Sequence, residues 1–100
     1  MKIKKSNNCN LTSFYGDTFK ATANEIERKF GKPAYAFYGE DEKTTYEWEL
    51  ELEDGTPFTI YDWKEFWFTD NSKIEWHIGA NNAEDSHKVK AILDKINFNK

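Results

Sequence analysis

The chain has 100 residues and a formal net charge of −4; 38% of its residues are hydrophobic, 17% aromatic and 32% charged. That length corresponds to one domain, and so many large rings exclude a disordered chain. A single cysteine, Cys9, excludes an internal disulfide framework, and no run approaches the ~18 apolar residues of a membrane-spanning helix.

The opening MKIKKSNN is basic and polar, without the apolar stretch of a signal peptide, so a cytoplasmic protein is expected. Residues 1–8 read as a flexible tail. Charge is unevenly spread. Residues 1–33 hold seven Lys/Arg against three acids, and residues 34–100 hold seven against fifteen. Ordinary solubility charge accounts for this asymmetry; the sharper alternative is a positive end suited to an anion and a negative face suited to a basic partner.

Residues 9–20 read as two short strands around a Tyr15-Gly16-Asp17 turn. Thr22-Ala23-Asn24-Glu25 fits a capping box, in which Thr22 accepts from the third helical N–H and Glu25 reaches back. Ile26 and Phe30 recur at helical spacing, and Gly31 with Pro33 ends the segment, so a helix is predicted over 23–30. Arg28 and Lys29 fall in its last turn, where cations suit the helix dipole.

Residues 44–53 alternate. Tyr46, Trp48, Leu50 and Leu52 share one face, and Glu47, Glu49 and Glu51 share the other. A two-residue Asp54-Gly55 loop would mix the two faces of the next strand. A three-residue loop over Glu53-Asp54-Gly55, with Gly55 left-handed, sets Leu52 against Thr56, Leu50 against Phe58, Trp48 against Ile60 and Tyr46 against Asp62. Asp62 then falls on the inward side, where a carboxyl must find a partner. The stretch FWFTDNSK reads as a loop.

In KIEWHIG, Ile74, Trp76 and Ile78 face inward, and Glu75 and His77 outward. Asn82 caps a final helix whose stripe is Val89, Ile92, Leu93 and Ile96. His87 falls on its polar side and is expected to be solvated. The predicted fold is one α+β domain over 1–100: an antiparallel sheet of about five strands in the order ββαβββα, with two helices on one face.

The segments GDTFKATANEIERKFGKPAY, DGTPFTIYDWKE and EWHIG, in that order, resemble a family of small uncharacterised proteins encoded in phage and prophage genomes. This chain has Ala80 where a second glycine would be expected. The resemblance implies a phage origin and a similar fold. It also implies the kind of protein that antagonises host defence, and it brings no catalytic residues.

No catalytic set is apparent. Only His77 and His87 could serve Cys9, and no phosphate loop or metal-ligand spacing occurs. The acids Glu47, Glu49 and Glu51 read as equivalent solvated groups, whereas acid/base pairs need unequal environments. The expectation is a protein without enzyme activity, metal or cofactor. The candidate binding residues are Tyr61, Trp63, Lys64, Trp67 and His77, with Arg28 and Lys29 as phosphate-pairing cations.

Three functions are compatible with these residues. The favoured one is an inhibitor that docks on a host protein through an aromatic and acidic surface. The alternative is a sponge for a small anionic ligand, a nucleotide or cyclic nucleotide, stacked on the rings. The third is a nucleic-acid mimic built on the acidic face of Glu47, Glu49 and Glu51, whose spacing of about 6.5–7 Å approaches that of phosphates. The negative total argues against direct nucleic-acid binding. An open sheet edge would permit a homodimer.

Overall fold

The computed structural model describes residues 3–7, 9, 12–36, 46–63 and 69–98. Its strands are β1 (Ile3–Lys5), β2 (Ser13–Ala21), β3 (Tyr35–Ala36), β4 (Tyr46–Leu52), β5 (Pro57–Tyr61) and β6 (Ile74–Ala80). Its helices are α1 (Ala23–Phe30) and α2 (Ala83–Asp94). All strand pairs are antiparallel, in the order β1-β4-β5-β6-β2, with the two-residue β3 also against β4. This is the expected α+β fold. Among the described residues no helix is long and apolar enough to cross a membrane.

The β4–β5 hairpin has the register that its hydrophobic pattern demands. Leu50 pairs with Phe58 and Trp48 with Ile60. The Leu52 N–H donates to the Thr56 carbonyl at 2.9 Å, and Gly55 takes φ +91°, the left-handed conformation that a bulged three-residue loop needs. The Asp54 carboxylate fastens this loop by accepting from the Thr56 N–H at 3.0 Å and the Thr56 hydroxyl at 2.7 Å.

The core lies between the inner face of the sheet and both helices. Trp48 and Trp76 meet edge to face, 5.5 Å between ring centres, among Leu50, Phe58, Ile60 and Ile78. Each indole N–H has a backbone acceptor: Trp48 donates to the Gly31 carbonyl and Trp76 to the buried Ala21 carbonyl, both at 2.8 Å. The first of these bonds seats the end of α1 on the sheet. The Thr22–Glu25 capping box forms as expected, with bonds of 2.8 and 3.0 Å. The helix α2 buries Val89 and Leu93 and packs Ile92 against the same core, and Ile96 just beyond its end packs there too.

Two expectations for the first twenty residues need correction. Ile3–Lys5 are not tail but a strand, paired with Leu50–Leu52 on the edge of β4. Residues 13–21 are one bulged strand rather than a turn between two: register shifts between Phe14 and Thr18, where Gly16 takes φ +98°. A glycine at positive φ serves a bulge as well as a turn, and sequence pattern does not separate the two.

β1 and β2 lie toward opposite edges, and between them Cys9 and Thr12 lie on the outer face of the sheet. Cys9 donates its thiol to the Phe58 carbonyl at 3.4 Å and the Leu50 carbonyl at 3.7 Å. Thr12 sits over Gly79, where an added Cβ would collide with the Thr59 hydroxyl. We call this segment the strap.

Candidate functional site

Next to the strap, one cross-strand row of the outer face remains accessible. It runs Glu47–Tyr61–His77–Thr18 over β4, β5, β6 and β2. Residues opposite each other on adjacent strands hold their Cβ atoms about 4.5–5.5 Å apart, so these side chains are immediate neighbours. Tyr61 and His77, both half-buried, have ring centres 5.5 Å apart and planes inclined by 59°. On the far side of His77 lies Phe14, stacked at 4.1 Å and 18°. Phe14 is paired in register with Gly79, which has no side chain, so its ring is free to lie over the neighbouring imidazole.

With the Phe14 ring laid over His77, the groups along this surface read carboxylate, phenol, imidazole, phenyl. Phe14 is 43% exposed. Burial, then the neighbouring Glu49 charge, pushes the Glu47 carboxyl above its usual range. Burial, then the Glu47 charge, pushes the Tyr61 phenol up as well. Tyr61 is accordingly an uncharged hydroxyl at neutral pH.

The acids of β4 are not the equivalent solvated groups that alternation suggests. All three are half-buried. Glu51 pairs with Lys4 across β1–β4 at 3.6 Å. Neither Glu47 nor Glu49 has a cationic partner among the described residues. On that edge of β4, β1 lies beside Glu51, the Ser6 N–H donates to the Glu49 carbonyl at 3.0 Å, and β3 lies beside Glu47, with Tyr35 as its register partner.

The other expected site residues divide. Trp63 is 41% exposed just beyond Asp62, which is fully buried and accepts from the Tyr46 N–H. Lys64 and Trp67 lie outside the described residues. Arg28 and Lys29 are exposed in the last turn of α1, on the helical layer, so the sheet separates them from Tyr61 and His77. Rings and cations are not brought together there.

His87 is not simply solvated. Its Nδ1 lies 2.6 Å from the Asp17 carboxylate, which also accepts from the Ser86 hydroxyl at 2.7 Å. Burial pushes Asp17 up, but these two hydrogen bonds with the His87 charge outweigh it and hold the carboxyl below its usual range. The arrangement is a clamp between the β2 bulge and α2. A nucleophilic triad would need the imidazole to bridge serine and carboxylate, whereas here the carboxylate bridges both. Cys9 is buried, and burial raises its thiol pKa, the opposite of what an activated nucleophile needs. Among the described residues no three His, Cys, Asp or Glu side chains converge on a metal site.

Phe14 is the member of the row that pattern reading missed. Its placement depends on the β2–β6 pairing, for which the Phe14 neighbourhood carries no alternation signal. Tyr61 and His77 are outward residues by alternation in their own strands, and they meet as that reading allows.

The chain matches no family model, no curated protein and no solved structure.

Proposed function

We propose that this protein is a non-catalytic binding module whose outer face, centred on Phe14, His77 and Tyr61, docks on a macromolecular partner. The resemblance to small phage proteins makes a host defence protein the partner class, with inhibition as the consequence. One observation carries the reading: a contiguous aromatic row on a solvent-facing sheet surface, with the exposed Phe14 at one end and a carboxylate at the other. Aromatic side chains held rigidly by a sheet lose little freedom on binding and are frequent anchors of interfaces.

The small-anion alternative is less well supported, since Arg28 and Lys29 are on the helical layer and the site has a carboxylate at its edge. The mimic reading is less well supported too, since Glu51 is paired and Glu47 and Glu49 are half-buried.

The test is capture from bacterial lysate with the immobilised protein, followed by reconstitution of the purified complex on a sizing column. Phe14→Ala and Tyr61→Ala should each weaken the reconstituted complex by roughly 30-fold, as expected for anchors that contribute about 2 kcal/mol. A complex that forms equally well with both variants would show that this face is not the docking surface.

A further inference from the structure

The docking reading leaves open what the carboxylate end of the row is for. Glu51, Asp54 and Asp94 each have a lysine partner. Glu47 and Glu49 share the outer face, are half-buried, and have no cation beside them among the described residues. An ionised carboxylate kept out of bulk water without a counter-charge is a cost to the free protein, and an incoming cation removes that cost.

On β5 the cross-strand neighbour of Glu47 is Tyr61, and beyond it follow the His77 and Phe14 rings. A cation seated there meets aromatic rings beside a carboxylate. A lysine ammonium is compact and strongly hydrated, and would use only the charge. A guanidinium is planar, weakly hydrated, stacks on rings and can bond a carboxylate through two N–H groups at once. The row has the shape and chemistry for the second.

We infer that the Glu47–Tyr61–His77 row receives an arginine side chain from an exposed segment of the partner protein, with the guanidinium against the Tyr61 ring and bonded to the Glu47 carboxylate. This rests on the docking reading of the same face and adds the partner's chemistry to it. Phe14 then covers the apolar part of the same segment, and Glu49 supplies a second negative charge for a basic neighbour.

The test is a nuclear magnetic resonance titration of the intact protein with acetyl-Gly-Arg-Gly-amide, and with the same peptide carrying citrulline, which keeps the shape and loses the charge. Saturable shifts centred on Glu47, Tyr61, His77 and Phe14 are expected, at least roughly tenfold weaker with citrulline and in Glu47→Gln. Spectra of the free variant, superimposable away from β4, establish that it is folded. Glu51→Gln, which removes an acid already paired with Lys4, should bind the arginine peptide as the parent does. Absence of saturable shifts, equal binding of citrulline, or equal binding by Glu47→Gln would each overturn the arginine assignment. If capture of a partner nevertheless depends on Phe14 and Tyr61, the docking reading survives that failure. If the titration succeeds and capture ignores both rings, the docking reading fails and the arginine site remains.

Discussion

The N–H of Tyr46, the first residue of β4, donates to the side-chain oxygen of Asp62 at 2.7 Å, and Asp62 is fully buried. One carboxyl thus closes the open end of the β4–β5 hairpin just where the backbone ladder stops. Asp62→Ala strands a buried donor and should destabilise the protein by about 1–3 kcal/mol. For a domain of this size each kcal/mol lowers Tm by roughly 4–8 °C. Asp62→Asn keeps an acceptor oxygen and should lose less. Urea denaturation of the two variants decides the matter, and an alanine variant as stable as the parent would rule out this end-closure.

Gly79 and Thr59 are opposite each other on the outer face, beneath the strap. Gly79→Ala forces a methyl group into the Thr59 hydroxyl and should cost about 1–3 kcal/mol, typical of overpacking. Thr59→Ala removes the obstructing oxygen. The double variant should therefore recover part of the loss, with a coupling energy of at least about 0.5 kcal/mol in a double-mutant cycle. Strictly additive effects would mean that the two positions do not touch.

Glu47 and Asp17 should bend the pH dependence of stability in opposite directions. The Glu47 carboxyl is raised above its ordinary 4.5, so its ionised form is disfavoured in the fold. Its penalty is fully present above the raised value and disappears as pH falls to about 4.5 and below. Glu47→Gln should thus be more stable than the parent at pH 7, with the difference closing by pH 4.5. Asp17 is held below its ordinary 3.8, and its contribution is present above that value and lost as pH falls through the lowered one. Asp17→Asn should be the less stable protein at pH 7, and the gap should close only below 3.8. Thermal melts at a series of pH values test both, and a gap that is constant with pH would contradict either assignment.

The Cys9 thiol is buried beneath the strap and its pKa is raised by that burial. A thiol reagent at neutral pH should label native protein only as fast as the strap opens. In denaturing urea labelling should approach the rate of a free cysteine peptide. Equal rates in both conditions would show that the strap does not cover Cys9.

Elements that announce themselves over short distances were readable from the residues. The 46–52 alternation and Gly55 together specify a hairpin register, because only a three-residue loop keeps Leu50 and Phe58 on one face. Thr22 and Glu25 specify the start of α1. Partnerships over long distances were not readable. Ile3–Lys5 is too short to show a period, and its strand character comes wholly from the β4 edge it meets. Phe14 reaches His77 only because β2 pairs with β6 and the bulge at Gly16 permits the register. The half-burial of Glu47 and Glu49 was likewise not readable, since local alternation marks a residue as outward and carries no sign of how far it is covered.

The strap also dictates an order of assembly. β4, β5 and β6 follow one another along the chain and can pair as they appear, but β1 waits for β4, and β2 finds no partner until Ala80 exists. A ribosome delivers the first twenty residues early and leaves them without a place to go. Contacts of such sequence separation form slowly, because loop closure must come before any gain from pairing. During synthesis the opening segment, with Phe14 and Phe19 exposed, is therefore the part of the nascent protein that chaperones would meet.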